Sequence, residues 1–229
     1  MNSKGHLHPA TQLTREIISI FDELGFSIAT GPEMEHEYYN FDALNVSKDH
    51  PSRDMQDTFW IKGGERTLLA TQTSAIQIRY MEKNKPPFRI IAPGKVYRNE
   101  ATDATHEVQF TQLEGLMVDK NVTLAELKGV LEHMMKKLFG ENVAIRFRPS
   151  YFPFVEPAVE VDMKWKDTWL EMGGAGMVHP NVLRAVNLDP QEWNGFAFGF
   201  GIDRMIMLKY GIDDIRHLYT GDLRFVNQF

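Results

Sequence analysis

Residues 97–115 read Tyr97-Arg98-Asn99-Glu100-Ala101-Thr102-Asp103-Ala104-Thr105-His106-Glu107-Val108-Gln109-Phe110-Thr111-Gln112-Leu113-Glu114-Gly115. The pattern is strand, polar loop, strand. Successive strand side chains point to opposite faces, so Arg98 and Glu100 are expected on one face of the first strand. Phe110, Gln112 and Glu114 are expected on one face of the second. Such a hairpin gathers a guanidinium, carboxylates, an amide, an imidazole from His106 and an aromatic ring on one surface. A guanidinium offers a planar fork to phosphate, and Phe110 offers a stacking plate for a base. The competing reading is a polar sheet face laced with cross-strand ion pairs, and the stretch alone does not separate the two.

Working outward, short apolar or alternating runs at 89–92, 109–114, 144–147, 159–163, 169–172 and 196–200 predict further strands. Two amphipathic helices are predicted here. Over 9–24, Pro9 suits a first helical position, Leu13, Ile17, Ile20, Phe21 and Leu24 recur at helical spacing, and Gly25 can end the helix. Over 123–139, Thr123 and Glu126 form a capping box ahead of a stripe of Leu124, Leu127, Leu131, Met134, Met135 and Leu138, with Gly140 after it. Strands arrive in groups with few helices between them. The class expected is therefore α+β, an antiparallel sheet flanked by helices in a single domain over 1–229.

The composition excludes several functions. The 229 residues contain no Cys, so there is no disulfide framework, thiolate metal site or thiol nucleophile. No apolar run reaches the length of a membrane span and the start lacks a secretory apolar stretch, so a cytoplasmic enzyme without membrane contact is expected. The 25 Lys and Arg against 31 Asp and Glu leave a formal charge of −6. That is not the balance of a dedicated nucleic-acid binder, since phosphate contacts need cations. Neither Gly-x-x-x-x-Gly-Lys-Ser/Thr nor Gly-x-Gly-x-x-Gly occurs, so any nucleotide is held another way. His6 and His8 lack a third metal ligand and read as part of a structural loop leading into the first helix.

A second stretch, Gly199-Phe200-Gly201-Ile202-Asp203-Arg204-Met205-Ile206-Met207-Leu208, runs from a Gly-rich strand end into a helix whose first turn carries Arg204. Glycines let a ligand approach the backbone, and an Arg there can reach a phosphate. The two stretches, in this order, resemble motifs 2 (about 95–115) and 3 (about 196–210) of class II aminoacyl-tRNA synthetases. The helix with Phe26-Ser27-Ile28 and Pro32 (about 9–32) resembles motif 1, a dimerising element. Further phrases narrow the resemblance to the bacterial phenylalanyl α-subunit family: Gly5-His6-Leu7-His8-Pro9, 38–45, 49–51, 53–59, 148–157, 176–180 and 222–229. It covers essentially the whole chain.

The resemblance implies an ATP- and Mg²⁺-dependent ligase that joins phenylalanine to tRNA(Phe). The amino-acid carboxylate attacks the α-phosphorus of ATP, and the protein orients and stabilises charge. It implies catalytic roles for Arg98 and Arg204. Arg98 bridges the α-phosphate and the carboxylate, while Phe110 and Arg204 sandwich the adenine. Glu100 and His106 contact the nucleotide and its outer phosphates. Gln72, Ser74, Gln112 and Glu114 surround the amino-acid head group. Phe152 and Phe154, two apart on an extended segment around Pro153, meet the substrate ring edge-to-face. Ala197 and Gly199 leave room at the pocket end, and Trp60 forms a wall. Glu171 is the expected magnesium ligand, with Glu160 the alternate.

The sequence departs from that family where Gln72 stands for a usual His, Thr111 for a frequent His after Phe110, and Asp203 for a Glu. The family's α subunit also carries an N-terminal coiled-coil arm that grips tRNA, expected absent here, and it pairs with a β subunit as (αβ)₂. Two other functions stay open at this level: a tRNA-independent paralogue that makes an adenylate for another acceptor, and a non-catalytic subunit kept for assembly.

Overall fold

The computed structural model describes residues 5–53 and 58–229. Positions 54–57 of the 53–59 phrase lie outside the described residues. Helix α1 (Pro9–Glu23) starts where His8 Nδ1 accepts from the Ala10 N–H and Pro9 takes the first turn; Leu13, Ile17, Ile20 and Phe21 are its buried stripe. With Nδ1 accepting, His8 donates from Nε2 to Leu218 O at 3.0 Å, and His6 Nδ1 pairs with Phe229 O at 2.9 Å. The two histidines therefore fasten the start of the domain to its end.

Strand β1 (Ser27–Ile28), strand β2 (Met34–His36), helix α2 (Glu37–Asn40), a 3₁₀ turn at Asp42–Leu44, strand β3 (Thr67–Leu69) and helix α3 (Ala75–Met81) come next. The long strands β4 (Phe88–Tyr97) and β5 (Gln109–Asp119) follow. Helix α4 (Leu124–Phe139) begins at the predicted capping box, with both Thr123 and Glu126 bonds formed. Strands β6 (Ile145–Phe152), β7 (Val155–Trp165) and β8 (Thr168–Val178) lead to helix α5 (Pro180–Ala185). Strand β9 (Asn194–Gly201), helix α6 (Ile202–Tyr210) and helix α7 (Leu223–Val226) close the chain.

Seven strands form one sheet in the order β1-β4-β5-β9-β8-β7-β6, antiparallel except where β1 lies parallel to β4; β2 and β3 form a small separate pair. Strand β9 shows how the two faces diverge. Phe196, Phe198 and Phe200 face the core built with α1, α4 and α6, whereas the intervening Ala197 joins the core on the other face. On that second face one register row runs Ala92, Glu114, Gly199, Gly174, Glu160, Arg148 across five strand pairs. The two glycines leave a trough in the middle of the row.

Two local expectations need correction. Strand β4 ends at Tyr97; Arg98 keeps one ladder bond, from its N–H to Val108 O at 2.9 Å, and Glu100 lies in the loop. They do not share a strand face. The Asp103 carboxylate takes the Thr105 and His106 N–H groups at 2.7 and 2.8 Å, a side-chain turn that competes with the ladder. Phe152 and Phe154 are not on one extended segment either, because residues 153 and 154 form the two-residue turn between β6 and β7.

Candidate active site

A cavity of about 640 Å³ opens over the glycine trough. At one end Glu114 is only 3% exposed. Its carboxylate accepts from Ser74 Oγ at 2.9 Å, from Thr73 Oγ1 at 3.2 Å and from Gln77 Nε2. Burial pushes the Glu114 pKa from 4.5 to about 8, against the pull of these donors. Beside it Gln112 Oε1 is buried with no hydrogen-bond partner. An unpaired buried acceptor next to a buried carboxyl is an arrangement that a ligand ammonium satisfies. A β-carbon on Gly199 would stand 2.9 Å from Gln112 Nε2 and 3.5 Å from Glu114 Oε2. Gly199 is thus small so that these two side chains can lie across it.

Helix α3 supplies this cage because Ser74 and Gln77, three apart, share a helix face. The helix is anchored by Arg79, which donates to the buried Glu35 at 2.6 and 2.7 Å while its guanidinium sits 3.8 Å above the Tyr39 ring. Gln72 lines the cavity and donates from Nε2 to Asn40 O at 3.2 Å.

At the other end the Phe152 and Phe154 rings lie nearly parallel, centroids 6.0 Å apart and planes 19° apart. The Phe152 ring rests on Gly174, where a β-carbon would stand 2.7 Å from it. Phe41, Val46, Val155 and Ala197 add to the apolar lining. Trp60 does not line the cavity; its ring stands 6.5 Å from that of Phe41. Of these two rings, Phe41 is the one that lines the cavity.

At the mouth are Arg98, Glu100, Phe110 and Glu171. The Arg98 guanidinium lies 5.0 Å over the Phe110 ring, and Nε donates to Thr71 O at 3.3 Å. Arg204, His106 and Glu160 do not line the cavity. Arg204 is exposed in the first turn of α6, three residues after the lining residue Gly201. His106 is turned to Asp103, Nδ1 at 3.0 Å from the carboxylate. The backbone bond from Thr105, with the His106 contact, holds the Asp103 carboxyl below the usual range. Glu160 is engaged by Arg148 at 2.6 Å and by Ser150 Oγ at 3.0 Å.

Asp203 is buried behind Arg204. Its Oδ2 accepts from the Thr111 N–H at 2.8 Å and from the Tyr219 hydroxyl at 2.6 Å; Oδ1 is buried with no partner. Burial pushes the Asp203 carboxyl upward. Among the described residues no three His, Asp or Glu side chains gather to hold a metal unaided. Glu171 reaches the cavity, with Arg148 at 3.6 Å, and its hard oxygen suits a cation brought in on a ligand.

The residues that sequence reasoning missed are Thr73, Gln77, Phe41, Gly174 and Asp103. Gln77 had a signal in its spacing from Ser74, and Gly174 in its place inside a strand. Phe41 and Asp103 lay inside the stretches 38–45 and 97–115 with no spacing signal of their own, and Thr73 had none.

A mostly antiparallel seven-stranded sheet with a cavity on one face, flanked by a strand–loop–strand hairpin and a Gly-rich strand running into a helix, defines a class II aminoacyl-tRNA synthetase core. The whole chain, residues 1–229, matches the family described as tRNA synthetases class II core domain (F), and it belongs to that family. It is 53% identical to the phenylalanine–tRNA ligase alpha subunit of Dehalococcoides mccartyi, over 98% of this chain and 70% of that protein. The same-named subunit of Bacillus subtilis (strain 168) is 54% identical over 98% and 69%, and that of Synechocystis sp. 53% over 99% and 68%. In fold it is similar to pyrrolysyl-tRNA synthetase from Desulfitobacterium hafniense, with a TM-score of 0.72 at 18% identity over 93% of this chain and 74% of that one.

Proposed function

We propose that this chain activates L-phenylalanine with ATP and transfers it to tRNA(Phe), as the catalytic α subunit of a phenylalanine–tRNA ligase. The observation that carries this reading is a single cavity with acceptors at one end and two stacked aromatic rings at the other. Phenylalanine is an ammonium and a phenyl group joined by a short stem.

In this reading Glu114 and Gln112 accept from the ammonium, with Ser74 and Gln77 holding the Glu114 carboxylate still. The phenyl ring enters beside Phe152 and Phe154, over Gly174 and toward Ala197. That orientation leaves the substrate carboxylate pointing to the mouth. There Arg98 neutralises the carboxylate and the α-phosphate as they approach each other, leaving its stacked position on Phe110 as the adenine arrives. Phe110 takes one face of the base and Arg204 the other, while His106 and Glu100 meet the outer phosphates and the rest of the nucleotide. Attack of a carboxylate oxygen on the α-phosphorus forms the acyl-phosphate bond and releases pyrophosphate. Holding both reactants in line is the main contribution, since no protein nucleophile is needed. Glu171 would complete the shell of a magnesium ion carried on the ATP phosphates, where such an ion spreads the charge of the departing pyrophosphate. Gln72 makes the site a neutral hydrogen-bonding one at that position.

The acidic charge supports a division of labour in which most tRNA contacts come from a β subunit in an (αβ)₂ assembly and from segments beyond this core. No helix among the described residues is long and apolar enough to cross a membrane, which supports a cytoplasmic enzyme. The test is phenylalanine-dependent exchange of pyrophosphate into ATP, followed by charging of tRNA(Phe). Exchange that disappears in Arg98→Ala is expected, and charging should need the β subunit. Exchange without charging under every condition would favour an adenylate-forming paralogue, and no exchange with any amino acid would favour an assembly subunit.

A further inference from the structure

The turn that carries the two pocket rings is held from outside. Pro153 O, between Phe152 and Phe154, accepts from Asn45 Nδ2 at 2.7 Å, and Phe154 O accepts from the His179 N–H at 2.9 Å. Asn45 does not line the cavity. It follows the 3₁₀ turn Asp42–Leu44 in the left-handed conformation, φ 59° and ψ 20°, a backbone state that Asn tolerates better than most residues. The flanking Phe41 and Val46 do line the cavity, tied by the Val46 N–H to Phe41 O at 3.1 Å. The Asn45 amide is itself oriented: its Oδ1 accepts from Asn181 Nδ2 at 3.0 Å, which leaves Nδ2 aimed at Pro153. Asn181 is in turn held by Arg184 Nη1 at 2.7 Å and by the imidazole of His179 at 3.0 Å.

Asn45 thus joins the two walls of the aromatic end, one from residues 41–46 and one from the 152–155 turn. A two-residue turn with a free carbonyl could tilt, and both rings would tilt with it. We propose that Asn45, oriented by Asn181, is a positioning residue for substrate selectivity: its bond to Pro153 O fixes the spacing between Phe41 and the Phe152–Phe154 pair, and so how large a ring the enzyme accepts. This rests on the reading that the cavity takes phenylalanine.

The test is pyrophosphate exchange by the intact α–β enzyme with phenylalanine, tyrosine and para-chlorophenylalanine. Asn45→Gly keeps the left-handed backbone and removes the amide. Asn45→Asp keeps the shape but presents an acceptor to an acceptor. Both are expected to raise KM for phenylalanine roughly five- to tenfold, the scale of one hydrogen bond. Both should narrow the preference for phenylalanine over para-chlorophenylalanine by a similar factor, with KM for ATP unchanged. Asn181→Ala should move the same two quantities by less. If selectivity is unchanged in Asn45→Gly and Asn45→Asp, the proposal is overturned. It is also overturned if KM for ATP and for phenylalanine rise together in step with a lowered Tm, because that is what a merely structural role does. Phe152→Ala separates the two readings: if it leaves KM for phenylalanine untouched, the pocket assignment fails, whatever Asn45 does.

Discussion

At Glu114 the folded chain keeps a proton that an exposed carboxyl would release, since burial pushes its pKa from 4.5 to about 8. A carboxyl raised on folding stabilises the fold fully below its unfolded pKa. That contribution is lost as pH rises from about 4.5 through about 8. Glu114→Gln should therefore lose less stability over that window than the parent, which denaturant titration at several pH values measures. Ligand binding runs the other way. An ammonium favours the charged carboxylate, so phenylalanine should bind more tightly toward pH 8 and release a proton as it binds. Calorimetry in buffers of different ionisation enthalpy detects that proton. In Glu114→Gln it should vanish, and binding should weaken by about 2–5 kcal/mol, as when one partner of a buried charge pair is removed. Gly174 gives a second prediction at this scale. Gly174→Ala puts a β-carbon 2.7 Å from the Phe152 ring and drives that ring into the pocket, so KM for phenylalanine should rise while KM for ATP stays put. Equal effects on both would contradict the placement of Phe152. The cage itself was only partly legible. Strand alternation put Gln112 and Glu114 on one face and the family resemblance put them at the head group, but Thr73 reaches Glu114 across 41 positions, and that contact depends on how α3 is anchored.

Among the elements, β9 and α4 were readable because each is encoded locally. A Phe on every second position of β9 with small residues between fixes which face is core, and Thr123 with Glu126 marks the start of α4. Phe198→Ala should cost about 3–5 kcal/mol, since its fully packed ring fills the space over Gly115. A chemical denaturation midpoint reports it. The hairpin loop 98–108 was not readable to the same degree. Its strand ends early because Asp103 captures two backbone N–H groups and Ile215 donates to Ala104 O at 2.9 Å, a partner from the far end of the chain. The junction of β5 and α6 is likewise made by a distant residue. Tyr219 and the Thr111 N–H converge on Asp203, between the proposed adenine contacts Phe110 and Arg204. Tyr219→Phe is expected to raise KM for ATP several-fold, leave KM for phenylalanine unchanged and lower Tm modestly. An unchanged KM for ATP would show that this junction does not govern nucleotide binding.

For the molecule as a whole, the sheet separates two tasks. One face is a closed apolar core against α1, α4 and α6, and the other carries polar residues around a cavity. Strand grouping and alternation predicted an antiparallel sheet flanked by helices, but not this division of its faces: the depth of the cavity depends on Gly174 and Gly199 falling side by side in register, which needs the strand order. The charge of −6 predicts that this chain alone binds tRNA no better than weak non-specific binding, with Kd about 10⁻⁶ M or above at physiological salt. Filter binding with the chain alone checks this. In the proposed function one cavity seats the ammonium at Gln112 and Glu114 and the phenyl ring at Phe152 and Phe154. A crystal structure with a non-hydrolysable phenylalanyl-adenylate analogue tests it most directly. The ammonium is expected within hydrogen-bonding distance of both acceptors, the ring against the stacked pair above Gly174, and the adenine on Phe110; an analogue whose ring lies away from Phe152 and Phe154, or whose ammonium leaves Gln112 Oε1 unpaired, would overturn this assignment.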